Sequence, residues 1–128
     1  MHKLYKATSV VKTPLTVLID NDDLVSLDGL CSAIKFLTDN EECVSFRGAL
    51  LDQDTGKNYH QTEDSIVGST VFDRVSTDLA GKDAAWQDIT RTNVIRKLYE
   101  LLFKSGTEDL MLTFTIDSSF RLIYGKNH

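Results

Sequence analysis

Proline is nearly missing from this chain: Pro14 is the only one, and no proline- or glycine-rich stretch marks a linker. Without a linker or an internal repeat, residues 1–128 read as a single domain, close to the commonest domain size. Cysteine is also scarce. Cys31 and Cys43 cannot build a disulfide framework, which suits a reducing compartment. Polar residues break up the stretch after Met1–Lys12 before an apolar region forms, so no signal peptide is read there. No run approaches the roughly 20 apolar residues of a membrane span. These absences give a cytoplasmic expectation with no membrane partner. Basic clusters are lacking too, and a duplex binder needs one to release counterions from phosphate. Nucleic acid is therefore not an expected partner.

Histidine, the usual catalytic base, occurs at His2, His60 and His128 alone. Two of these are terminal, and His60 stands beside an expected turn. Cys31 falls on the apolar stripe of an expected helix and reads as a buried, inert thiol. Cys43 has no second ligand at zinc spacing. No Gly-rich phosphate loop occurs. The chain is accordingly expected to need no cofactor or metal, and no catalytic residue is assigned.

Acid is what the chain has in excess. The net charge is −5, and it sits unevenly: residues 1–64 hold 11 acids and 6 bases, residues 65–128 hold 8 of each. Aspartate outnumbers glutamate 14 to 5. Aspartate prefers caps and turns because its short side chain bonds nearby backbone N–H groups. An acidic half suits a basic protein surface.

Periodicity then orders the elements. Leu4–Val11 and Leu15–Ile19 read as strands. Asp20–Asp23 signals a turn and helix entry, with Asp22 or Asp23 as cap. Leu27, Leu30, Cys31, Ile34 and Leu37 define one face of a helix over 23–39, ended by Asp39–Asn40. A third strand over 44–51, a turn at Asp52–Gly56 and a fourth strand at Lys57–Gln61 follow. Thr70 with Asp73 resembles a capping box, so a short helix is favoured over a strand from Ile66 to Phe72, with Gly81 as its stop. A helix over 84–105 ends at Gly106. Leu110, Leu112, Phe114 and Ile116 alternate with Met111, Thr113 and Thr115, which predicts a strand paired with Phe120–Tyr124 across Asp117–Ser119. The result is an α+β fold of order β-β-α-β-β-(α)-α-β-β. Its sheet of hairpins is mostly antiparallel, and two or three helices cover one face.

Thr16-Val17-Leu18-Ile19-Asp20-Asn21-Asp22-Asp23 resembles the first motif of haloacid-dehalogenase-type phosphatases. That resemblance implies Mg²⁺ held by Asp20 and Asp22, one of which attacks a phosphoryl group. The lysine and later acids such an enzyme needs have no match, so helix capping is the preferred reading. Asp52–Glu63 resembles an EF-hand loop at Asp52, Asp54 and Glu63, but Gly56 is out of place and a plain turn is preferred.

The functional expectation is a small acidic protein-binding module, such as an inhibitor, immunity-type or phage-type antagonist. Asp20, Asp22, Asp23, Asp39, Glu41 and Glu42 bracket one helix as a docking patch, and Trp86 is a candidate hot spot. One alternative is a metal-dependent phosphoryl or nucleotide hydrolase, or a ligand-binding domain, using Asp20 and Asp22. The other is a structural homo-oligomer that pairs through the C-terminal hairpin.

Overall fold

The computed structural model describes residues 2–49, 51–57, 65–79 and 87–128. The elements are α1 (His2–Val10), β1 (Leu15–Thr16), α2 (Leu27–Asp39), β2 (Cys43–Phe46), α3 (Val71–Leu79), β3 (Ile89–Arg91), α4 (Thr92–Ser105), α5 (Leu110–Tyr124) and β4 (Lys126–Asn127). The α+β class holds, but the chain of hairpins does not. The sheet runs β1-β3-β2-β4, antiparallel at its first two pairings and parallel between β2 and β4. Each pairing joins strands that are separated in sequence by at least one helix.

Several local signals act as expected. Thr70 and Asp73 form a reciprocal capping box: Asp73 N donates to Thr70 Oγ1 (3.1 Å), and Thr70 N donates to Asp73 Oδ2 (3.2 Å). These bonds hold the Asp73 carboxyl below its usual range. Gly106 ends α4 in the left-handed conformation, with φ at 69°. The turn at Asp52–Gly56 closes with Gly56 N donating to Asp52 O (2.8 Å). Other signals are displaced. Ser26, rather than Asp22 or Asp23, caps α2 by accepting from Gly29 N. The strands expected over 15–19 and 44–51 shrink to β1 and β2. The fourth strand expected at Lys57–Gln61, apart from Lys57 itself, Gly81, and residues 84–86 of the helix expected over 84–105 lie outside the described residues; Ile89–Arg91, expected in that helix, are strand β3, and α4 begins at Thr92.

The expected first strand is helix α1. Leu4 and Tyr5 pack on the apolar cluster of Ile95, Leu98, Tyr99 and Leu102 from α4. The end of α1 is satisfied from far away: Arg96 donates through Nε to Thr8 O (3.3 Å) and through Nη2 to Val11 O (2.7 Å). Arg91 treats the end of α2 likewise, donating to Leu37 O (2.8 Å) and Asn40 O (3.0 Å). Arg74 of α3 donates to Leu122 O (2.9 Å) near the end of α5.

The expected C-terminal hairpin is the largest correction. Residues 110–124 form one helix, α5, whose cap is Asp109 accepting from Leu112 N (3.0 Å). Homo-oligomerisation by edge pairing of a C-terminal hairpin therefore loses its structural basis. Burial follows the helix and not the alternation: Leu112 is exposed and Thr113 fully buried, while Thr115 is exposed and Ile116 packs on the α4 cluster. Among the described side chains, Thr113, Asp117 and Arg121, at i, i+4 and i+8, form an inward polar stripe on α5 beside the buried Ser118 and Leu122.

Helices cover both sheet faces, not one. Phe36 of α2 meets Phe46 with ring centroids 5.3 Å apart, while Arg121 of α5 bonds Thr90, the register partner of Ser45. Ser45 and Phe46 are consecutive, so their side chains point to opposite faces.

Candidate functional site

Two regions depart from what a plain fold requires: a polar layer inside the molecule and an apolar stripe outside it. The layer begins on the sheet. Thr16, Thr90, Ser45 and Asn127 are register partners across β1, β3, β2 and β4, which places four polar side chains in one transverse row. Opposite this row, Arg121 donates to both oxygens of Asp117 (2.9 Å each) and to Thr90 Oγ1, and lies 3.9 Å from Asp88 Oδ2. Asp88 also accepts from Arg47 Nε (2.9 Å) and from Asn127 Nδ2 (3.2 Å). Arg121, Asp117 and Asp88 are all buried.

Burial pushes the Asp117 carboxyl above its ordinary range, although Arg121 pulls it down. Burial likewise raises the Tyr99 phenol and the Cys43 thiol. Asp78 forms a second buried centre, accepting from Ser118 Oγ and from Ser119 Oγ (3.1 Å). A perturbed carboxyl often marks a catalytic site, but Asp117 is enclosed and bonded to Arg121 of its own helix, and Asp88 and Asp78 are enclosed and bonded to neighbouring elements. Their role is to hold α5 on the sheet and α3 on α5.

The outer region is the face of α2 and the segment before it. The sequence places Leu27, Leu30, Cys31, Ile34 and Leu37 on one stripe. The fold buries Leu37 and Ala33, half-buries Leu30, and leaves Leu27, Cys31 and Ile34 exposed at i, i+4 and i+7. Cys31, expected as a buried thiol, is thus an exposed one. The reason is geometric: α2 packs on the sheet through β2, with Ala33 and Leu37 buried and Leu27, Cys31 and Ile34 turned outside. Leu24, 81% exposed, and Val25 extend the exposed stripe upstream, together with Ile19.

The sequence-selected acids surround this stripe. Asp20, Asp22 and Asp23 are exposed before α2, in a turn closed by Asp23 N donating to Asp20 O (3.2 Å). Gln87 donates to the Asp23 carboxylate and anchors the turn. Asp39 is exposed at the other end of α2, paired with Lys35 (2.6 Å). Glu41 and Glu42 follow in the exposed turn into β2, where Glu42 lies 3.9 Å from Lys126. A 13-residue helix separates the two acidic groups by roughly 20 Å, so they flank the stripe instead of converging on one point. Among the described residues no group of three ligating side chains could hold a metal. Trp86 and His60 lie outside the described residues.

No protein-family model, curated protein or solved structure matches this chain. Sequence reasoning found the acids but missed the exposed stripe, because periodicity shows that a face is apolar without showing what covers it. The polar layer did leave a trace, the Asp117–Arg121 pair at i, i+4 in line with Thr113.

Proposed function

We propose that this chain is a protein-binding module that docks a basic, partly apolar protein surface on the face formed by residues 19–34 and α2. The observation that carries this reading is the exposed apolar stripe of Leu27, Cys31 and Ile34 on α2, continued upstream by Leu24. Exposed apolar patches bordered by charge mark interaction surfaces. The charge selects the partner: residues 19–42 contain seven acids and one base, Lys35. A second copy would bring the same negative field, so a basic partner is favoured over self-association.

Magnitudes support a modest, specific contact. Covering Leu24 and Leu27 would contribute about 1.5–3 kcal/mol each, and covering Ile34, which is already half-buried, about half as much. Together these offset much of the roughly 4–15 kcal/mol lost to ordering on association. The flanking acids then mainly raise the association rate.

The test is a nuclear magnetic resonance titration with two synthetic peptides, one amphipathic and built of lysine and leucine, the other of lysine and serine. The lysine–leucine peptide should shift amides over Ile19–Leu37, and the lysine–serine peptide far less. Shifts centred elsewhere, or equal responses to both, would reject this face. In pull-downs from the native source, a protein captured by the wild type should be lost with Leu27→Asp/Ile34→Asp. It should be kept with Phe72→Asp, a change at a 79% exposed apolar residue on α3.

A further inference from the structure

The polar layer contains side-chain atoms whose bonding is incomplete. Ser45 Oγ and Asn127 Oδ1 are both buried and have no hydrogen-bond partner among the described residues. Both residues are at least nine-tenths buried, with Ser45 at 0% and Asn127 at 8% exposure. The β2–β4 register shifts between Cys43 and Ser45, but both side chains belong to the layer under α5: Ser45 is the partner of Thr90, which Arg121 bonds, and Asn127 bonds Asp88, which Arg121 faces at 3.9 Å. The amide orientation of Asn127 is set by Asp88, whose carboxylate can only accept and therefore takes the Nδ2 donor (3.2 Å). The Oδ1 acceptor is thereby directed elsewhere.

We propose that an internal water molecule joins Ser45 Oγ to Asn127 Oδ1 in this layer. The chemistry fits water closely. One site needs a donor and the other, a hydroxyl, both donates and accepts, and a water satisfies the two at once. Buried waters characteristically occupy such places, bonding polar groups that secondary structure leaves over. Its structural consequence follows from where β4 lies. Asn127 also exchanges two backbone bonds with Ile66, N donating to Ile66 O (3.1 Å) and O accepting from Ile66 N (2.8 Å). The water ties the β4 side chain to β2 while the backbone of β4 holds residue 66.

The experiment is a high-resolution crystal structure of the full chain, with water-oxygen relaxation dispersion in solution. We expect density within about 3 Å of both atoms and a long-lived water whose count falls by one in Ser45→Ala. The same variant should speed hydrogen exchange at the Asn127 and Ile66 amides by about fivefold, the effect of losing one modest interaction. Direct contact between Ser45 Oγ and Asn127 Oδ1, or a space with no density between them, would overturn the proposal. If Ser45→Ala does not fold, the wild-type crystal structure decides alone.

Discussion

Replacing Arg121 by methionine tests the central physical argument. The side chain is 1% exposed and donates twice to Asp117 at 2.9 Å, once to Thr90, and faces Asp88 at 3.9 Å. Methionine fills much of its volume but supplies no charge and no donor. Asp88 keeps Arg47 and Asn127, whereas Asp117 loses both of its bonds to Arg121. Stranding one buried charge in this way costs about 3–5 kcal/mol, a large part of the roughly 5–15 kcal/mol that holds such a domain together. Asp117→Asn should cost less, about 1–2 kcal/mol, since the amide still accepts one of the two Arg121 bonds. Asp117→Leu/Arg121→Met removes the pair as a unit and should be more stable than Arg121→Met alone. Urea unfolding followed by circular dichroism measures all three. An Arg121→Met cost below about 1 kcal/mol, or additive costs in the double variant, would refute the description of this layer as a coupled ionic network.

Four further outcomes are expected. The folded Asp117 carboxyl binds its proton more tightly than the unfolded one, so its contribution to stability should fall as pH rises from about 3.8 through its elevated folded value. Wild-type stability relative to Asp117→Asn, followed across that range, should decline accordingly; a rise would reverse the sign of the argument. Gly106→Ala forces alanine into a left-handed cap at φ 69° and should cost about 1 kcal/mol in denaturant titration. Gly125→Ala should cost more, about 1–3 kcal/mol, because the added Cβ lies 2.5 Å from Val44 Cγ1 and 2.6 Å from Glu42 O. With a true partner, Glu41→Lys/Glu42→Lys should slow association and weaken its salt dependence; if only Asp20→Lys/Asp22→Lys does so, docking is confined to the start of α2.

Legibility in the sequence followed chemistry. Short-range signals were readable: Thr70 with Asp73 capped α3, Gly106 ended α4, and the apolar spacing from Leu27 to Leu37 identified α2. The acids around α2 were readable as exposed charge. Alternation at 110–116 misled because polar Thr113, Asp117 and Arg121 are buried on α5, beside Ser118 and Leu122, while Leu112 lies outside. A hydrophobic-pattern argument assumes an apolar interior, and this interior is partly ionic. The strand expected at 4–11 failed for a different reason. Leu4 and Tyr5 suit either period, and the decision rests with the α4 cluster and with Arg96, which reaches the end of α1 from 85 and 88 residues away.

Composition and local spacing alone determined an α+β chain with an acidic first half, capped helices and no cysteine framework. Only the tertiary structure decided which apolar face stays outside and where the bases go. All five arginines, Arg47, Arg74, Arg91, Arg96 and Arg121, bond carbonyls or carboxylates within the fold. The physical reason is distance along the chain. A cap or a turn is completed within four residues, but a guanidinium finds its carbonyl, and a helix face its cover, only after remote segments have packed together.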